Sequence, residues 1–162
     1  QVNLQLKIAA WKEKFPNDLF FYRQHTESDG QVDDISVDGT ESVCVDDDED
    51  VLLNSSSHAA DLLFCHQTEW QRRLLMRYGN DICLLDATYR TSRFALPLFF
   101  LCVKTNVNYT VVASFIVECE TTAAVSEALQ VIQRWNPGWK PQTWMMDFSE
   151  VEINALECVF PG

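Results

Sequence analysis

Two aspartates stand where apolar runs stop. Asp86 follows Ile82-Cys83-Leu84-Leu85 and Asp147 follows Trp144-Met145-Met146, 61 residues further on. A carboxylate at the tip of a buried strand needs water, a hydrogen-bond network or a cation to satisfy it. Two such tips on neighbouring strands make a metal site, because Mg²⁺ takes carboxylate oxygens and keeps several waters. The residues also have a local reading. Asp86 can end its strand by bonding Thr88, and Asp147 can cap the following turn together with Ser149. Glu120, Glu150 and Glu152 read as helix-terminus residues, favoured there by capping and by the helix dipole, rather than as ligands.

The densest basic feature is Arg72-Arg73-Arg77. It reads as a solvated helix face or, on the nucleic-acid reading, as a face that contacts phosphates. Cys65-His66 is a thin zinc signal, since further ligands at usable spacing are missing. The run Asp46-Asp47-Asp48-Glu49-Asp50 lacks the spacing of a calcium loop and reads as solvated charge.

The elements that must position Asp86 and Asp147 follow from pattern. Ile82–Tyr89 is apolar on both parities, as a strand buried on two sides should be. Arg90-Thr91-Ser92-Arg93 is a hairpin-length link to a strand over Phe94–Lys104, with Pro97 near its start. Thr105–Asn108 turns the chain into a β-branched strand, Tyr109–Glu118. Thr121 or Thr122 caps a helix whose Val125, Ala128, Leu129 and Ile132 share a face, ending at Asn136-Pro137-Gly138. Gln142–Asp147 is a fourth strand. Ser149-x-x-Glu152 has capping-box spacing and opens a last helix through Ile153, Leu156 and Phe160.

Upstream, Ser57–Tyr78 reads as one helix, with Leu63, Trp70, Leu74 and Leu75 on its apolar face and Gly79-Asn80 as its stop. Residues 1–15 have a mixed period, Pro16-Asn17-Asp18 is a turn, and Leu19–Tyr22 is a short apolar strand or docking segment. The expected organisation is a flanking segment at 1–25, an acidic disordered linker or loop at 26–57, and a core at 58–162. Three strands joined by short turns, a helix long enough to cross over, and a fourth strand parallel to the first give a mixed α/β sheet of ribonuclease-H-like order. Asp86 and Asp147 then sit side by side on adjacent central strands.

Charge narrows the functions. The chain has 162 residues, net charge −12 and 47% apolar residues. Residues 1–58 hold 13 Asp+Glu against 4 Lys+Arg, and residues 59–162 hold 11 against 8. Such a surface repels a phosphate backbone, so DNA contact requires a local basic patch or another part of the protein. The six cysteines show no paired spacing, and no apolar run approaches the length of a membrane span. An intracellular, reducing compartment is expected, with no membrane partner.

Residues 67–162 also resemble a family. Leu85-Asp86-Ala87-Thr88-Tyr89-Arg90-Thr91, Leu96-Pro97-Leu98, Glu120-Thr121, Met146-Asp147-Phe148 and Ala155…Val159-Phe160-Pro161, in that order, resemble the catalytic-domain signature of Mutator-like (MULE-type) transposases. Gln67-Thr68-Glu69-Trp70-Gln71…Tyr78-Gly79-Asn80 is similar to domesticated animal relatives, including calcium-responsive transcription-factor-like proteins. The resemblance implies a ribonuclease-H-like core in which Asp86 and Asp147 are the first and second acids of a site for Mg²⁺ or Mn²⁺. A third acid is expected downstream of Pro161, so the core is expected to be incomplete at its C-terminus.

The resemblance further implies DNA phosphodiester hydrolysis and strand transfer in a full-length parent. The chain alone is expected to be inactive, its metal weakly held and its DNA contact weak or absent. The alternative is a non-enzymatic module of a nuclear regulator that meets partner proteins through the acidic segment. A ribonuclease-H-like domain acting on RNA would use the same carboxylates. Met146 departs from the threonine usual before the second acid.

Overall fold

The computed structural model describes residues 4–25, 61–89 and 95–162. Its elements run α1 (Leu4–Lys14), β1 (Leu19–Arg23), β2 (Leu63–Gln67), α2 (Glu69–Tyr78), β3 (Ile82–Thr88), β4 (Leu98–Lys104), β5 (Tyr109–Val117), α3 (Thr122–Trp135), β6 (Thr143–Met145) and α4 (Glu150–Val159). The acidic stretch 26–57 and the link Arg90–Arg93 lie outside the described residues. Strands β3, β4 and β5 form the expected antiparallel meander, and after α3 the strand β6 pairs parallel to β3. A crossover is what permits that parallel return. The result is the mixed α/β sheet that the element order predicts.

The sheet is wider than the four strands expected. Its order is β1-β2-β5-β4-β3-β6 among the described residues, with β1 and β2 adding antiparallel beyond β5. The helix expected over Ser57–Tyr78 is therefore corrected. Leu63–Gln67 is a strand, and α2 begins only at Glu69. Leu63, Cys65 and Gln67 are buried while Phe64 and His66 are half-buried, a period of two that belongs to a strand. Thr68 then starts the helix with a reciprocal cap. Its Oγ1 accepts from the Gln71 amide at 3.2 Å, and Gln71 Oε1 accepts from the Thr68 amide at 2.8 Å. Trp70, expected on the apolar face, is 64% exposed, whereas Leu75 is buried. Residues of mixed period near the N-terminus resolve as α1, which buries Ile8.

The core lies between one sheet face and the helices. Cys83 and Leu85 of β3, Phe99 and Leu101 of β4 and Phe115 of β5 cluster with Leu129 and Ile132 of α3 and with Ala155 of α4. Burying each large side chain contributes about 1.5–3 kcal/mol. Phe99 and Phe115 stack at 4.7 Å between ring centroids.

One buried polar pair follows from a bulge. The β4–β5 register shifts so that Leu101 faces Ala113 while Cys102 faces Val111, leaving Val112 as the extra residue. A bulge leaves backbone groups outside the ladder. Gln67 Nε2 donates to the Val112 carbonyl at 2.9 Å, and Asn136 Nδ2 donates to Gln67 Oε1 at 2.7 Å. The pairing lets a glutamine sit in the core.

Candidate acidic site

The β3–β6 register positions the two aspartates. Ile82 faces Thr143, Cys83 faces Trp144 and Leu84 faces Met145. Carried two residues past the end of β6, the same offset sets Asp86 level with Asp147. Neighbouring strands run about 4.8 Å apart. Both aspartates are exposed. Their local alternatives are not realised: among the described residues neither side chain makes a hydrogen bond, and Ser149 alone is the N-cap of α4.

Glu152 departs from expectation. Ser149 Oγ accepts from the Glu152 amide at 3.4 Å, which is half of a capping box. The return half is absent because the Ser149 amide already donates to the Asp147 carbonyl at 2.8 Å. The Glu152 side chain turns inward instead. It is 2% exposed, and its Oε2 is buried without a hydrogen-bond partner. Burial pushes the Glu152 carboxyl up to about 7, and the charges of Glu120, Asp147 and Asp86 act in the same direction. Asp86 of β3, Glu120 of the β5–α3 connection and Asp147 after β6 thus each lie within electrostatic reach of Glu152 on α4.

Glu120 stands at the entry to α3, as expected, and carries a further contact. It stands just ahead of Thr121, the N-cap of α3, and its Oε2 accepts from the Tyr89 hydroxyl at 2.5 Å. The Tyr89 phenol is raised above its ordinary value, by burial first and then by that bond. Capping-box spacing hid Glu152, since a Glu three residues after a Ser reads as a cap in any sequence.

A patch of carboxylate oxygens with water access suits hard cations such as Mg²⁺ or Mn²⁺. Asp86 and Asp147 are the residues that would hold one, and the unpartnered Glu152 oxygen is consistent with a charged or polar neighbour there. Among the described residues, however, the patch does not bring three ligand atoms within 4.8 Å of one another. Beside the two aspartates stands Glu152, whose carboxyl burial pushes up to about 7.

The family model for the RNaseH-like domain of zinc finger SWIM domain-containing protein 1/3 matches residues 27–162. The chain belongs to that family. The match begins well upstream of Gln67 and takes in the acidic stretch and strands β2 to β6, leaving α1 and β1 outside it. No curated protein and no solved structure matches the chain significantly.

In this RNaseH-like domain Arg73 and Arg77, one helical turn apart on α2, are exposed, whereas Arg72 is drawn towards α3. Arg72 is half-buried and donates to the Trp135 carbonyl at 3.3 Å, at the end of α3. Arg73 is exposed and pairs with Glu69 one turn earlier. Arg77 lies over the Tyr78 ring at 5.4 Å from its centroid. Among the described residues Cys65, Cys83, Cys102 and Cys158 are free thiols and Cys119 is disulfide-bonded. Burial pushes the Cys65 and Cys83 thiols up to about 12, which makes them packing groups rather than nucleophiles. Among the described residues no helix is long and apolar enough to cross a membrane.

Proposed function

We propose that this RNaseH-like domain is transposase-derived, of Mutator-like ancestry with calcium-responsive transcription-factor-like relatives. In this reading Asp86 and Asp147 are the remnant of a site for Mg²⁺ or Mn²⁺ acting on DNA phosphodiesters. The observation that supports the reading is the parallel β3–β6 pairing, whose offset, carried two residues past Met145, would bring Asp147 level with Asp86, both exposed and without a side-chain hydrogen bond among the described residues. A bound divalent ion would supply charge stabilisation for an attacking and a leaving oxygen. Asp86 and Asp147 would fix the ion. Glu152, protonated in part, would moderate repulsion among the four acids, and Tyr89 would hold Glu120 in place.

We further propose that the 162-residue chain does not cut or join DNA by itself. Two ions need ligands that fix both, and the described acids do not gather three-deep. A net charge of −12 opposes capture of a polyanion. Within a full-length parent in the nucleus, additional ligands and cations would be required for DNA chemistry. A plasmid-nicking assay in Mn²⁺ at low salt, beside an Asp147→Ala control, tests this. Absence of nicking is expected, and nicking by the parent chain that disappears in the control would refute it.

The second reading, a non-enzymatic nuclear module that meets partner proteins, is favoured by one observation. The acid excess falls mainly in residues 1–58, away in sequence from Asp86 and Asp147. Binding of nuclear proteins that is lost on neutralising Asp46–Asp50 yet kept in Asp86→Asn would select it.

A further inference from the structure

We propose that His25, Asp61 and Glu118 form a second cation site, chemically distinct from the aspartate pair, that takes a first-row transition ion such as Zn²⁺. One ligand atom from each of the three lies within 4.8 Å of the other two. His25 Nδ1 is 3.0 Å from Glu118 Oε2, and Glu118 Oε2 also accepts from the Leu62 amide at 2.8 Å, which fixes its orientation. Tetrahedral zinc with bonds of about 2.0–2.2 Å sets its ligand atoms roughly 3.3–3.5 Å apart, so the His25–Glu118 pair would open slightly while the more distant donors close up. Two of the three side chains are exposed and Glu118 is half-buried, so both access and adjustment are available.

The donor set decides the ion. An imidazole beside two carboxylates favours zinc and its neighbours, whereas oxygen-only sites favour Mg²⁺ or Ca²⁺. The nearby charges are Arg23 and Glu120. Arg23 Nε donates to the Asp61 carbonyl at 2.9 Å, and its guanidinium is paired with Glu127. That cation adds positive charge beside Asp61, and Glu120 adds negative charge two residues from Glu118.

The placement has a consequence. His25 lies just past β1, Asp61 just before β2 and Glu118 just past β5. An ion held there would tie together both ends of the chain excursion 26–60 and anchor them to the sheet. His25 and Glu118 also line a cleft of about 710 Å³ whose wall includes Tyr89, Pro97 and Glu120. The site therefore borders a cleft that Glu120 also lines.

Titrating Zn²⁺ into the metal-free 162-residue chain against a chromophoric chelator tests the proposal, with ring-nitrogen NMR of the histidines as a second readout. One equivalent should bind, shifting the His25 resonances and leaving His66 in place. His25→Ala and Asp61→Asn, both at exposed positions, should each weaken binding by at least about tenfold with unchanged circular dichroism, whereas Asp86→Asn should not. No zinc uptake at micromolar concentrations, equal affinity in His25→Ala and the parent, or loss of binding in Asp86→Asn instead would overturn it.

Discussion

At the scale of single residues, Glu152 is the group whose behaviour differs most from its spacing. Its carboxyl sits near 7 rather than at the ordinary 4.5 because it is buried beside three other acids. The folded state therefore holds its proton more tightly than the unfolded chain does. That contribution to stability is complete below about pH 4.5, declines as pH rises towards about 7, and is lost above it. Glu152→Gln should be more stable than the parent near pH 8, on the order of 1–2 kcal/mol after allowance for solvent screening. The gain should vanish near pH 4, and urea midpoints at the two pH values would show it. A gain equal at both would mean that Glu152 does not titrate with folding.

The aspartates make a separate prediction. Two carboxylates open to water should hold Mn²⁺ loosely, broadening resonances near Asp86 and Asp147. Asp86→Asn should abolish that broadening while leaving stability unchanged or slightly raised, because it removes like-charge repulsion. Equal broadening in variant and parent would remove the site from β3 and β6.

At the scale of elements, the helix stop at Gly79 works by close approach. Its backbone is in the ordinary right-handed region, at φ −78°. A Cβ there would lie 2.5 Å from the Leu75 carbonyl oxygen and 3.0 Å from Trp139 Nε1. Trp139 Nε1 and Cys83 Sγ both donate to the Gly79 carbonyl, each at 3.2 Å. Gly79 thus joins α2, the start of β3 and the aromatic corner of Trp139, Trp144 and Phe160. Gly79→Ala should cost about 1–3 kcal/mol, as overpacking does in a filled core, read as a lowered denaturation midpoint. A neutral effect would show that α2 can slide away from Trp139. The β1–β2 addition belongs to this scale too. The Leu63–Gln67 alternation is five residues long, too short to outweigh the helical spacing that follows it, until pairing with β5 gives it a partner.

At the scale of the whole molecule, charge dominates. A net of −12 on 162 residues opposes compaction by self-repulsion. Raising NaCl from about 20 mM to about 300 mM shortens the Debye length several-fold and should raise the melting temperature by a few degrees. A melting temperature that falls with salt would mean that exposed pairs such as Arg73–Glu69 outweigh the repulsion. Membership of the RNaseH-like family agrees with the mixed sheet, and the position of Asp86 and Asp147 within it follows from one parallel pairing.

The sequence by itself determined the meander, the crossover helix and the return strand, because each has a local period or cap that survives without its neighbours. It also marked Asp86 and Asp147, since acids at the ends of apolar runs are conspicuous in one dimension. Only the tertiary structure decided where Glu120 and Glu152 point. The Ser149–Glu152 spacing fits helix capping, and the competing use of the Ser149 amide by the Asp147 carbonyl exists only once the turn is formed, as does the Tyr89 contact of Glu120. The same holds for His25, Asp61 and Glu118. They are far apart in the chain and meet because β1 and β2 extend the sheet beside β5, a pairing set by long-range hydrogen bonds that no local pattern encodes.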